Sequence, residues 1–270
     1  MKITFLGGGN MANALIGGLL KQGFVAADIQ VIELSAESRD HLAATYGVVC
    51  HAGACAAAWA TELIVLAVKP QQMREAVAPM ATALAGQVVV SIAAGLPLDS
   101  LSRWLGGYRK LVRTMPNTPA LIGAGITGLY ALPEVSALER EAADRVLQAV
   151  GKTVWIEDED RMDAVTAVSG SGPAYVFLFI EALQQAAMDL GFTSEQARLL
   201  SIETALGAAR LAEQSPEPAA VLRERVTSKG GTTEAALRTM AERAVKEGIV
   251  AGVLAAEARG RELGKLLGAG

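Results

Sequence analysis

Three consecutive glycines, Gly7, Gly8 and Gly9, stand between the apolar run "KITFLG" and an Ala- and Leu-rich stretch that begins at Asn10. Gly7, Gly9 and Ala12 supply the pattern G-x-G-x-x-A between a predicted strand and a predicted helix. The first glycine permits a tight turn. The second removes a side chain so that backbone N–H groups can approach a pyrophosphate, while the helix start adds partial positive charge. A turn of this kind requires a parallel β-α-β unit, so it constrains the fold more than any other stretch. The next apolar run, "IQVIEL", begins at Ile29, which leaves room for one helix, Asn10 to Gln22.

Further short apolar runs follow: "LIVLAV", "QVVVSIA", "KLVRTM", "ITGLYAL" and "TVWIED". Residues 63–68 and 87–93 are apolar on both faces, as strands of a parallel sheet covered by helices on each side must be. The expected architecture is an α/β doubly wound, Rossmann-type domain over residues 1–160. After Asp160 the strand signals stop, and residues 161–270 read as an all-α domain. Helices are expected over Pro173–Leu190, from a capping box at Thr193 to about Gln214, in a short segment ending at Val226, and from about Glu234 almost to the C-terminus. "SGSGPAY" (Ser169 to Tyr175) is read as a break in helical patterning, restarted with Pro173 in the first turn. "AYVFLFIEALQQAAM" is apolar around most of its circumference, which suits a helix central to a bundle or to a dimer interface.

Composition narrows the function classes. The chain of 270 residues is 51% hydrophobic and 19% charged, with formal net charge -4 and few aromatics. Basic, aromatic-interleaved patches for nucleic acid are not expected. Residues 3–20 are fairly apolar, yet three glycines, an asparagine and the lack of an A-x-A site argue against a signal peptide or membrane span, so a cytoplasmic enzyme is expected. Cys50, His51 and Cys55 in "CHAGAC" could begin a metal cluster, but with His41 the only other histidine no metal site is expected.

In an open α/β sheet, ligands sit beyond the carboxyl ends of the strands. Glu33 follows the second strand, where a carboxylate can accept hydrogen bonds from a ribose and repel a 2'-phosphate; Ser35, Ser38 and Arg39 follow, and an arginine there can pair with a 2'-phosphate. Both NADH and NADPH therefore stand as cofactors. "AVKP" and "SIAAG" close two more strands, the second with residues small enough for a nicotinamide ring to lie against backbone. "RTMPNTP" holds Asn117 and Thr118 between prolines, a rigid loop presenting an amide and a hydroxyl. Far downstream, "VTSKGGTT" places Gly230, Gly231, Thr232 and Thr233 before a helix, a second anion-binding arrangement that lacks P-loop order.

"FLGGGNMA", "LAVKP", "RTMPNTP", "SGSGPAYVF" and "VTSKGGTT", in this order and over essentially the whole chain, closely resemble Δ1-pyrroline-5-carboxylate reductases. The resemblance implies reduction of Δ1-pyrroline-5-carboxylate to L-proline, the last step of proline biosynthesis, by hydride from NADPH or NADH. It implies homodimers, commonly assembled into decamers, with active sites formed between one subunit's nucleotide domain and the helical regions of the dimer. Cofactor contacts then fall on Leu6, Gly7, Gly8, Gly9, Asn10 and Met11, on Glu33 and Ser35, on Val68, Lys69 and Pro70, and on Ala93 and Ala94. The substrate carboxylate falls on Ser228, Gly230, Gly231, Thr232 and Thr233, with Thr233 the catalytic residue beside the ring nitrogen. Many bacterial members have Asn-Arg-Ser where this chain has Glu33, Leu34 and Ser35, a departure that turns the expected preference away from NADPH and towards NADH. Two other readings fit a Rossmann domain joined to helices: a β-hydroxyacid-dehydrogenase-like enzyme, for which Lys229 and Lys246 lack the usual motif, and a non-catalytic NAD(P)-binding sensor.

Overall fold

The computed structural model describes residues 1–268. Its contacts divide the chain into two units: Met1–Ser171 together with the chain from Ala256 on, and Gly172–Ala255. The sequence reading placed the division after residue 160. In the structure the segment up to Ser171 and the last turns of the C-terminal helix belong with the sheet.

The first unit is built on one sheet of eight strands: β1 (Ile3–Leu6), β2 (Ile29–Ile32), β3 (Val49–His51), β4 (Leu63–Leu66), β5 (Val88–Ser91), β6 (Leu111–Met115), β7 (Gly125–Ala131) and β8 (Gly151–Trp155). The spatial order is β3-β2-β1-β4-β5-β6-β7-β8. All neighbours run parallel except β6 and β7, which are antiparallel. The order reverses between β1 and β4, and a crevice opens at such a point beyond the strand ends. The apolar runs bury both faces as expected: Ile3, Phe5, Leu63 and Val65 enter one core, and Leu6, Ile64 and Leu66 enter the other. The three-residue β3 was not among the expected apolar runs, because it offers only Val49, Cys50 and His51.

The last helix, Val245–Gly268, returns to this sheet unit. Leu267 packs on the second core, and the Ser100 hydroxyl and Arg103 guanidinium donate to the Gly268 carbonyl at 3.2 and 2.8 Å. In the helical unit, Gly172–Asp189 packs against Ser194–Gln214, whose capping box joins Thr193 and Gln196 as the sequence predicts. The single long helix expected from Glu234 is two: Thr232–Glu242 and Val245–Gly268, separated at Ala244, where φ is 51°. No glycine or proline marks that break. "SGSGP" also differs from expectation. The backbone does not leave the helix there; it widens into a π-type turn over Thr166–Gly170, with the Ser171 N–H donating to the Thr166 carbonyl at 2.8 Å.

The helix Ala137–Gln148 shows how a local cap is tied to the sheet. One oxygen of Glu139 accepts from the Ser136 N–H and hydroxyl, each at 2.8 Å, and the other accepts from the Lys110 ammonium at 2.6 Å. Burial pushes this carboxyl up, and the Lys110 and Ser136 hydrogen bonds outweigh it, so the group sits below its ordinary value. A folded-state value below the unfolded one stabilises the protein above the unfolded carboxylate range and is lost as pH falls through the folded value. Glu139→Gln should lower Tm near neutral pH by about 2–4 °C, as loss of a cap of about 1 kcal/mol implies. The gap to wild type should narrow as pH drops below the ordinary glutamate range, measured by thermal melts across a pH series.

Candidate functional site

The ends of β1, β4 and β5 bring three of the predicted motifs together. The register aligns Leu6 with Leu66, and Leu66 with Ser91. The Gly7 N–H donates to the Ile32 carbonyl, the Ala67 N–H to Leu6 and the Ile92 N–H to Leu66, so Gly7, Ala67–Val68 and Ile92–Ala93 exit side by side. Gly7 has φ 101°, and a Cβ there would lie 2.8 Å from the Ala67 carbonyl oxygen. Gly9 is different: its φ is -70°, and a Cβ would meet nothing within 4 Å. The turn is thus closed by Gly7 and left open at Gly9.

The helix Asn10–Lys21 starts from Gly9 with no side-chain cap among the described residues. Its first amides therefore face outward unsatisfied, as an anion-binding helix start requires. The other long helices that begin at a distinct cap mostly carry a side-chain acceptor, at Ser35, Ser136 and Thr193. The second exception is Thr232–Glu242, capped by Gly231. Among these longer helices the two starts without a side-chain cap are the two predicted ligand loops; the seven-residue helices Leu98–Trp104 and Ala219–Arg225 also lack one, at Pro97 and Pro218. Asn13, not singled out from the sequence, braces the first turn: its side-chain amide donates to the Gly8 and Gly9 carbonyls at 2.7 and 3.0 Å. A cleft of about 740 Å³ opens beside Gly8, Gly9 and Asn10, with Glu37, Ser38 and His41 opposite. Open backbone at Gly9, free helix amides and this space fit a dinucleotide pyrophosphate.

Of the remaining expected cofactor residues, Leu6 is buried in the second core and contributes backbone only, and Met11 packs against the first. Lys69 and Ala94 are exposed, Val68 and Pro70 half-buried, and Ala93 buried. Ser35 caps the helix Ala36–Tyr46, its hydroxyl accepting from the Ser38 N–H. Glu33 accepts from Gly8 and Ser35, each at 2.9 Å.

"RTMPNTP" serves the fold more than the sequence reading assumed. The Asn117 amide donates to the Ser169 carbonyl at 3.2 Å, and its oxygen accepts from the Ile126 N–H at 3.0 Å, so it bridges the π-type turn and β7. Arg113 is 5% exposed and pairs with Glu159 at 3.1 Å and Asp163 at 3.0 Å. This triad, with the guanidinium buried and both carboxylates half-buried, ties down the start of the Met162–Gly170 segment, and nothing in the apolar pattern of "KLVRTM" announces it. In "CHAGAC", His51 Nε2 lies 2.7 Å from the Gln30 side-chain oxygen and Cys55 Sγ 3.6 Å from His51 Nδ1.

The second glycine loop is exposed at Ser228 and Gly230, with Thr233 half-buried. Gly230 has φ 76°; its N–H donates to the Glu234 carboxylate at 2.7 Å, and the Gly231 N–H donates to the Ser228 carbonyl at 3.0 Å. Both glycine amides, expected from the sequence to face a ligand, are therefore engaged within the loop. The outward amides belong to the first turn of the helix, at Thr232 and Thr233. A groove of about 650 Å³ beside this loop is lined by Leu237, Met240, Val245, Ile249 and Val250, and also by Thr227, Glu234, Arg223, Arg238 and Lys246. It does not include Gly230, Gly231 or Thr233.

Comparison with known proteins adds to this geometry. A family model described as pyrroline-5-carboxylate reductase dimerisation matches residues 159–263. One described as NADP oxidoreductase, coenzyme F420-dependent, matches residues 2–95. The pyrroline-5-carboxylate reductase of Pseudomonas aeruginosa is 47% identical over 99% of this chain and 98% of its own length. The chain belongs to the pyrroline-5-carboxylate reductases. The structure of such a reductase from Coxiella burnetii superposes with TM-score 0.92 at 39% identity, covering 97% of this chain and 98% of that one. A Plasmodium falciparum pyrroline carboxylate reductase with NADP bound gives TM-score 0.86 at 27% identity, covering 98% of each. As a member of this family the chain is an NAD(P)H-dependent oxidoreductase with a Rossmann-type domain and a helical dimerisation domain.

The two glycines of the first turn separate fold from binding. Gly7→Ala places a methyl against the Ala67 carbonyl at a positive φ and should lower Tm by several degrees. Gly9→Val points into open space and should melt as wild type, yet weaken NADH and NADPH binding at least about tenfold, the loss of roughly one charge-assisted hydrogen bond. Calorimetric titration of each cofactor checks this.

Proposed function

We propose that this chain reduces Δ1-pyrroline-5-carboxylate to L-proline with NAD(P)H, the last step of proline biosynthesis, in the cytoplasm. The observation that carries this reading is the full-length likeness to named reductases together with the two glycine-capped helix starts at Gly9 and Gly231, each without a side-chain cap. In this reading residues 1–160 bind the dinucleotide, through Leu6 to Met11, Glu33, Ser35, Val68 to Pro70, Ala93 and Ala94. Residues 161–270 bind substrate and dimerise.

A bound nicotinamide supplies the hydride that reaches the C=N carbon. The chain's own part is positioning and electrostatics, because a protonated cyclic imine is already a good electrophile. The helix start at Thr232 and Thr233 holds the substrate carboxylate with backbone N–H groups, with Ser228, Gly230 and Gly231 shaping the loop. Glu234 has a role that the sequence reading missed. By accepting the Gly230 N–H it locks the turn, and its own charge is thereby kept on the loop side. Thr233 directs its hydroxyl to the ring nitrogen and orients the substrate or relays a proton from water.

The dimer assignment rests on unpartnered apolar surface. Phe177, Leu178 and Phe179 are 65%, 66% and 51% exposed in the single chain. The helical run Glu159–Asp189 is long and apolar enough to cross a membrane by those two criteria alone. The dimerisation family model spans this run, which supports a second copy of the chain as what covers it. Assembly of dimers into decamers is consistent with further exposed side chains such as Leu199 and Leu211.

The deciding assay follows NADH and NADPH oxidation with Δ1-pyrroline-5-carboxylate and identifies L-proline; no oxidation with either cofactor overturns the function. Thr233→Ala should cut kcat/KM by about tenfold or more while cofactor affinity holds, and an unchanged kcat/KM removes Thr233 from the chemistry. Phe177→Glu should shift the protein from dimer to monomer in light scattering. A dimer of unchanged mass would move the interface elsewhere.

A further inference from the structure

The segment after β2 is where a dinucleotide's adenosine ribose is read in folds of this topology, and its groups here are arranged with one sign. Glu33 has its backbone tied to the sheet, its N–H donating to the His51 carbonyl at 3.0 Å. Its carboxylate is held from two sides, one oxygen by the Gly8 N–H and the other by the Ser35 N–H, both at 2.9 Å. Each oxygen keeps lone-pair capacity for a hydroxyl donor. The carboxylate is thus a fixed acceptor beside the glycine turn, built into the same backbone that carries the pyrophosphate amides.

The nearby cation, Arg39, spends its Nη1 on the backbone. Arg39 donates through Nη1 to the carbonyls of Glu33 and Leu34, at 2.8 and 2.7 Å, and so staples the chain's exit from β2. Glu37 and Asp40 are exposed on the same segment, so residues 33–41 carry three carboxylates against one guanidinium. A ribose 2'-hydroxyl meets an acceptor here. A 2'-phosphate, which is acceptor-only and anionic, meets a carboxylate that has no donor to offer.

We infer that Glu33 makes this chain selective for NADH over NADPH, by accepting the adenosine ribose hydroxyl and excluding the 2'-phosphate, with Arg39 acting as a positioning residue for that carboxylate. The inference deepens the proposed function and rests on its use of a nicotinamide dinucleotide. It concerns this chain's residues 33–39, whatever phosphate state its relatives bind.

The test separates cofactor reading from turnover. ADP-ribose and 2'-phospho-ADP-ribose, which lack nicotinamide and cannot react, are titrated calorimetrically into the full-length protein without substrate; kcat/KM is measured for NADH and NADPH in parallel. Wild type should bind ADP-ribose and use NADH at least about tenfold better than the 2'-phosphorylated counterpart, the range of one charge-assisted hydrogen bond. Glu33→Gln should erase most of that ratio with an unchanged melting temperature. Because Gln also faces two backbone N–H groups, Leu34→Arg is the second variant: Leu34 is 82% exposed, and the added guanidinium should raise 2'-phospho-ADP-ribose affinity alone. Equal or tighter binding of the 2'-phosphorylated ligand by wild type overturns the inference, as does a wild-type ratio that survives in Glu33→Gln. If the imine is not reduced at all, the binding ratios still decide this point. If it is reduced but NADPH wins, only this inference fails.

Discussion

The approach of β1 to β4 at Gly7 is the contact on which the nucleotide unit depends. A Cβ at that position would lie 2.8 Å from the Ala67 carbonyl oxygen and 2.9 Å from the Val68 side chain, and the backbone there has φ 101°. Only glycine satisfies both conditions. With the strands this close, the exits of β1, β4 and β5 line one crevice, the helix Asn10–Lys21 starts immediately beyond it, and its amides point outward. A bulkier residue would push β1 from β4 and move every one of those groups.

Five longer helix starts, at Ser35, Ser136, Thr193, Gly9 and Gly231, contrast in how they treat their first amides. Ser35, Ser136 and Thr193 satisfy their helices' first amides with a side-chain oxygen, worth about 1 kcal/mol each. Gly9 and Gly231 leave that stabilisation unmade. Leaving it unmade is what keeps a helix start available to a ligand, since an amide already bonded to its own cap has nothing to offer an anion. The two glycine-capped starts are supported from outside the amide row instead: Asn13 on the Gly8 and Gly9 carbonyls, Glu234 on the Gly230 N–H.

Much of this was legible in the residues because the signals are local and strong. "LIVLAV" and "QVVVSIA" are apolar on both faces, and with "KITFLG" each is a buried strand of the sheet. Thr193 and Gln196 state a capping box in four residues. The failures have equally physical causes. The strand β3 is short and sits at the sheet edge, with nothing to demand an apolar run. Ala244 breaks a helix although alanine is the best helix former, so the break is imposed by packing and not by propensity. "SGSGP" reads as a helix terminus, but the Thr166 and Ser169 hydroxyls donate to the Met162 and Val165 carbonyls and absorb the irregularity as one wide turn.

The sequence alone determined the strand-and-helix alternation of the first unit, the two glycine loops and the family, because these follow from residue type and spacing along the chain. It named Glu33 and Arg39 as opposed candidates for reading the ribose, and the departure from Asn-Arg-Ser leaned towards NADH, but it could not say how either side chain is held. Only the tertiary structure decided which groups face the protein's own backbone: Arg39 Nη1 on the Glu33 and Leu34 carbonyls, Asn117 on Ser169 and Ile126, the Gly230 amide on Glu234. A hydrogen bond needs distance and direction as well as donor and acceptor. Whether a named side chain faces a ligand or its own backbone is therefore settled in three dimensions.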